Sequence, residues 1–228
     1  LGAKGEPEAA MVELSEAIRL EPGNVDALRR RAGLHEQKGD FDAAIADYDA
    51  LVRLVPKDAG VLLGRAVMRG RKGDFDAALK DAEASLALDP KLADAYNTRG
   101  WLRQRKGDLD GAIADYDRAI SLDARHALAV GNRAGALAMK LDHERALADM
   151  EAFAKMRPQD ANYRGIGLQR FHLGRYPESV EAFTQALQAH PGDHYAALWR
   201  FLAQWRAGRE REARAEFAIA AKGLDPAT

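Results

Sequence analysis

The sequence predicts an all-α solenoid of small stacked helical hairpins, and three observations predict it. Glycine recurs every 34 residues, at Gly5, Gly39, Gly73 and Gly107, and returns after a gap at Gly174 and Gly208. Proline recurs at Pro22, Pro56, Pro90, Pro158 and Pro191. Between each glycine and its proline lies one pattern, seen in GDFDAAIADYDALVRLVP from Gly39 to Pro56. A fixed period of this length belongs to arrays in which each unit buries its apolar face only against its neighbours.

The elements follow in order. Residues 1–24 hold the second helix of an incomplete leading unit, preceded by the tail of a first helix. The first whole unit begins at Val25. Leu28, Ala32 and His35 share one face at helical spacing. Gly39 ends that helix, because glycine enters the left-handed conformation at a C-terminus without steric cost. Asp40 is placed to cap the next helix, whose stripe is Ala44, Ile45, Tyr48 and Leu51, and Pro56 stops it. The same reading gives units at 25–58, 59–92, 93–126, 127–159, 160–193 and 194–227, one continuous array over 1–228. Leu141 replaces the turn glycine and Ala124 replaces a proline, so the fourth unit is expected to be the least regular. Phe201 occupies a position that is small in the other units, so the last hairpin is expected to splay or shift.

Composition narrows the function. Lysine and arginine number 34 against 35 acidic residues, which argues against the concentrated basic field that general nucleic-acid binding needs. The chain has no cysteine, which removes disulfides, thiolate catalysis and zinc–thiolate sites and leaves cytoplasm and periplasm equally open. No apolar run approaches the ~18 residues of a membrane span. The four serines sit in no nucleophile elbow. RGIGLQR around Gly165 and Gly167 lacks the third glycine and the preceding strand of a dinucleotide loop. His190 and His194 are separated by the helix-breaking Pro191 and Gly192. Neither enzyme, cofactor nor metal is expected.

The unit resembles the tetratricopeptide repeat, whose signature places small residues at positions 8 and 20, an aromatic at 24 and proline at 32. Position 8 holds Ala32, Ala66, Gly100, Ala134 and Gly167. Position 20 holds Ala10, Ala44, Ala78, Ala112, Ala146, Ser179 and Ala213. Position 24 holds Tyr48, Tyr116, Phe183 and Phe217, with Leu14, Ala82 and Met150 as departures. The resemblance, to bacterial members, covers nearly the whole chain and implies a right-handed superhelical solenoid of antiparallel helix pairs. Such arrays hold peptides or proteins on a concave surface built from the first helices. The segments YRGIGLQRFHLGRY and YAALWRFLAQWRAG also resemble, over about two repeats, bacterial outer-membrane lipoproteins that act as adaptors for cell-wall enzymes.

Two residue patterns carry sharper expectations. Position 7 is Arg31, Arg65, Arg99, Arg133, Ile166 and Arg200, while position 23 is Asp47, Asp81, Asp115, Asp149, Ala182 and Glu216. The unit that loses its arginine also loses its acid, so Arg31–Asp47, Arg65–Asp81, Arg99–Asp115 and Arg133–Asp149 ion pairs are expected. The groove positions 2, 5, 6, 9, 12 and 13 begin charged and end apolar and aromatic. They assign a peptide-binding groove to Asn97, Trp101, Arg105, Asn132, Arg164, Leu168, Phe171, Tyr195, Trp199, Leu202, Trp205 and Arg206. Its floor is small: Gly131, Gly135, Ala138, Ala161 and Gly165. The carboxylate clamp of chaperone-binding relatives is not reproduced, since Arg29 faces Gly33 and Gly64, and no asparagine ladder accompanies Asn132.

The expected function is therefore a non-catalytic scaffold that binds a protein or peptide. The alternative is a self-association or regulatory segment of a larger protein, with the aromatic C-terminal end serving oligomerisation. One edge is exposed in either case. Ala10, Met11, Leu14, Ala17 and Ile18 have lost most of their hairpin partner. That face is expected to be covered by sequence upstream or by another molecule.

Overall fold

Asparagine or aspartate opens most helices of this chain, and a left-handed residue closes the first helix of most hairpins. The computed structural model describes residues 6–222. Among them thirteen α-helices and one 3₁₀ turn are found, and the chain divides into two compact units, one ending at Ala124 and the other starting at Arg125. The division falls at the position where the repeat has lost its proline.

The first unit contains α1 (Glu6–Leu20), α2 (Val25–Lys38), α3 (Phe41–Leu54), α4 (Ala59–Lys72), α5 (Phe75–Leu88), α6 (Ala93–Arg105) and α7 (Leu109–Leu122). Each helix packs on the next in chain order, α2 on α3, α4 on α5, α6 on α7, with α3 on α4 and α5 on α6 joining successive hairpins. Asn24, Asp40, Asp58, Asp74 and Asp108 cap their helices through a side-chain oxygen that accepts from a backbone N–H three residues on. Ala32, Ala44, Ala66, Ala78 and Ala112 are fully buried, so the helices of a hairpin meet at these small side chains. Ala10, Met11, Leu14, Ala17 and Ile18 are each half-buried, with Ile18 packed on Leu28, Leu51 and Val61, while Val12 and Leu20 remain exposed.

The second unit contains α8 (Ala127–Met139), α9 (His143–Met156), a 3₁₀ turn (Pro158–Asp160), α10 (Tyr163–His172), α11 (Tyr176–Ala189), α12 (His194–Arg206) and α13 (Glu210–Lys222). The fourth unit keeps regular, capped helices, and its irregularities are the left-handed Leu141 and the 3₁₀ turn that begins at Pro158. His126 accepts from the Ala129 N–H and caps α8, and Asp142 caps α9. The shortened helix is α10, with ten residues, because the 3₁₀ turn at Pro158 takes up its first turn.

Leu141 keeps the fourth turn closed at a cost. It adopts φ 61°, as the glycines at the equivalent turns do, and its N–H donates to the Ala138 carbonyl at 3.0 Å. A Cβ in this region costs roughly 1–2 kcal/mol. The side chain is 73% exposed, so little burial offsets that cost. Leu141→Gly is expected to stabilise the second unit by about 1 kcal/mol, read as a higher urea midpoint at unchanged slope.

Phe201 does not displace α13 from α12, which remain packed. Its ring lies 4.9 Å from that of Phe217 and 5.7 Å from that of Trp205. In the third and fifth hairpins glycine faces the aromatic instead, and a Cβ on Gly100 or Gly167 would approach Tyr116 or Phe183 within 2.8 or 2.9 Å.

Candidate functional site

Buried ion pairs tie together the two helices of four hairpins. Arg31 donates to both carboxylate oxygens of Asp47, Nη2 to Oδ1 at 2.6 Å and Nε to Oδ2 at 2.9 Å. Arg65 and Asp81 repeat that fork at 2.6 and 2.8 Å. Arg99 and Asp115 repeat it at 2.6 and 2.9 Å, and Arg133 and Asp149 at 2.7 Å for both bonds. All four expected pairs form, and the aspartates are 3–7% exposed, so they are buried rather than surface pairs. Donation to Asp47, Asp81 and Asp115 holds the guanidinium pKa of Arg31, Arg65 and Arg99 above its ordinary value. Arg200 reaches Glu216 at 3.0 Å, and in the fifth hairpin Ile166 and Ala182 share an apolar cluster with Leu147.

The arginine fork has a third arm that sequence reasoning missed. Arg31 Nη1 donates to Ser15 Oγ at 3.1 Å, and Arg65 Nη1 to Asp49 Oδ1 at 2.8 Å. Both acceptors lie 16 residues before their arginine, on the second helix of the preceding unit. The fork therefore ties a hairpin internally and ties it to the one before. Arg69 and Arg103 add further bonds of 2.8 Å to Asp81 and Asp115.

The twelve expected groove residues divide between the units. In the first, Asn97 is half-buried on α6, the Trp101 ring lies over Gly70, where a Cβ would come within 2.5 Å of it, and the Arg105 guanidinium is 5.6 Å from the centre of the Phe75 ring. In the second unit the structure gathers most of the rest. The Phe171 and Trp199 rings meet edge-to-face at 4.9 Å, and Tyr195 lies 6.0 Å from Trp199. Leu168 and Trp199 pack on the cluster of Phe183, Ala186 and Ala196. Arg164 stacks 5.5 Å from the Tyr195 ring and reaches Asp193 at 3.4 Å. Arg206 covers Tyr176 at 5.4 Å and donates to its hydroxyl at 3.1 Å. Leu202 is half-buried on α12. Trp205 turns elsewhere, to Phe201 and to Arg214, whose guanidinium is 5.2 Å away.

The small floor is partly occupied by the chain itself. A Cβ on Gly131 would meet the Phe153 ring at 3.0 Å, and one on Gly165 would meet Asn162 and Met150 within 3.2 Å. These glycines admit their own neighbours. Beside them an open concavity of about 260 Å³ remains, lined by Leu128, Asn132, Gly135, Met150, Phe153 and Asn162 among others. Asn132 lines this space, and Leu128 is 54% exposed on its rim. Groups of three or more metal-ligating side chains are absent among the described residues.

Family models of the tetratricopeptide repeat match residues 1–59, 165–227 and 93–126. The chain belongs to the tetratricopeptide repeat family. Members of this family are generally non-catalytic protein–protein interaction scaffolds. No curated protein sequence matches the chain. Among solved structures, a tetratricopeptide repeat protein from Parabacteroides merdae is similar at 19% identity and TM-score 0.68, over 96% of this chain and 87% of that one. MamA is similar at 22% identity and TM-score 0.61, over 70% and 94% of the two chains. YrrB, a TPR protein with an unusual peptide-binding site, is similar at 20% identity and TM-score 0.62, over 81% and 95%. At these identities the likeness shows the repeat fold alone. No helix of this tetratricopeptide repeat chain, among the described residues, is long and apolar enough to cross a membrane.

Proposed function

We propose that the second unit holds an extended or helical protein segment on the surface formed by α8, α10 and α12. The observation that carries this reading is the aromatic wall on α10 and α12. Tyr195 is 48% exposed and Leu198 42% exposed beside the half-buried Phe171 and Trp199. Apolar surface of this kind, rimmed by polar groups, is what interaction sites expose. Tryptophan and tyrosine are the residues that most often carry binding energy, and Arg164 and Arg206, already stacked on rings, offer donors to acidic groups of the ligand. The 260 Å³ concavity beside Gly131 has room for one apolar anchor side chain. The likeness to a peptide-binding tetratricopeptide repeat protein supports the same reading by analogy of fold.

The test is selection of binders from a displayed peptide library, followed by calorimetry of the best peptide against variants shown by circular dichroism to remain helical. Trp199→Ala is expected to weaken binding by tenfold or more, about 1.4 kcal/mol or above. Trp205→Ala should do less, because its ring serves Phe201 and Arg214. Binding indifferent to Trp199 would remove the site from this wall. The exposed apolar face of α12 also fits self-association through the aromatic end. Light scattering over a concentration series separates the two, since a peptide scaffold stays at one mass.

A further inference from the structure

One cluster lies outside the ligand-facing surface yet touches it. His143 opens α9, directly after its cap Asp142, and His172 ends α10. Their rings stack with centroids 4.7 Å apart and planes 12° apart. His143 Nδ1 lies 2.8 Å from Oε1 of the buried Gln169. The His172 ring is also 6.1 Å from Phe171 and 6.1 Å from Trp199. The stack thus joins the fourth hairpin to the fifth and stands against the aromatic wall.

We propose that the His143–His172 stack is a proton-operated latch between these two hairpins, closed while both imidazoles are neutral and opened when acid charges them. Opening loosens the Phe171–Trp199 wall that the stack supports. Two neutral rings stack as aromatics, whereas two imidazolium ions at this separation repel.

Several charged groups on the packed elements have partners of their own. On α9, Glu144 pairs with Arg175 of the following turn at 2.9 Å, and Asp142 with Arg145 at 3.5 Å. On α10, Arg170 bonds Glu151 at 2.9 Å and the Glu178 carbonyl of α11 at 3.0 Å. Arg206 of α12 covers Tyr176 of α11, and Lys140, which follows α8, has interactions of its own.

The titration has a definite sign. Burial, and then the neighbouring His143, hold His172 below the usual histidine value. A lowered histidine pKa favours the folded state above the ordinary value of about 6.5, and that contribution is lost as pH falls through the folded value.

The experiment follows histidine ring protons and the tryptophan indole N–H by NMR from neutral to mildly acid pH, with assignments from single variants. In the unaltered protein His172 should titrate below about 6.5. His143→Gln should move that titration upward. The Trp199 indole signal should shift in the same window and stop doing so in His143→Gln/His172→Gln. If that double variant does not fold, His172→Asn, checked for helix content, must abolish the Trp199 shift. His172 titrating at the ordinary value, unaltered by His143→Gln, overturns the proposal, as does a Trp199 signal blind to the transition. The consequence for ligand binding, weaker in acid, rests on the groove reading above. The latch itself is read on the free protein, so a groove that binds nothing leaves it standing.

Discussion

Arg31→Ala is expected to cost the first unit about 3–5 kcal/mol, more than an ordinary surface ion pair is worth. Asp47, its partner, is 4% exposed, and both of its carboxylate oxygens accept from that one guanidinium. Removing the arginine strands a buried carboxylate, and the penalty is mostly that of the orphaned charge. The loss also releases Ser15, so the contact between α1 and α2 weakens with the hairpin. Urea unfolding followed by circular dichroism measures it. A loss below about 1 kcal/mol would class the pair with exposed ones.

The chain itself contains the control. In the fifth hairpin Ile166 and Ala182 stand where the others carry arginine and aspartate, and both are buried in one apolar cluster. Arg31→Ile with Asp47→Ala is therefore expected to recover most of what Arg31→Ala loses, since replacing both buried charges by apolar groups is often neutral. A double variant as unstable as the single one would mean that Ser15 and the neighbouring helix, not the orphaned carboxylate, set the cost.

That pairing was legible because two substitutions coincide in one unit, and periodicity turns such coincidences into contacts. The hairpins, their capping aspartates and their turn glycines were legible for the same reason. Less was legible wherever a contact leaves the unit. The bonds from Arg65 and Arg69 to Asp49 cross from one hairpin to the next, and no single repeat records them. The groove stripe spans more than one face of its helix. Positions 6 and 12 are six residues apart, about 240° around a helix at 100° per residue. Trp199 accordingly faces Phe171 while Trp205 faces Phe201. At Gly131 and Gly165 of the small floor, the space belongs to Phe153, Asn162 and Met150. Sequence counts a missing side chain, and only packing says whose ring fills the gap.

Phe183→Ala is the second large effect, expected to cost the second unit about 3–5 kcal/mol. Phe183 has no exposed surface and packs with Ala186 and Ala196, with Tyr163, Leu168 and Trp199 against the same cluster. Gly167 lies directly under the ring, and Ser179 Oγ donates to the Gly167 carbonyl at 2.8 Å, which holds α10 against α11 and keeps the backbones from closing over a void. A site that cannot collapse bears the full cavity cost. Phe183→Leu keeps most of the volume and should cost less than about 1.5 kcal/mol. The two variants also separate stability from binding. Trp199 rests on this cluster, so Phe183→Ala should weaken peptide binding as Trp199→Ala does, whereas Phe183→Leu should leave it nearly intact. A loss near 1 kcal/mol for Phe183→Ala would mean that α10 and α11 do close the gap. Trp199 would then have shifted with them, and its fluorescence maximum would report the move.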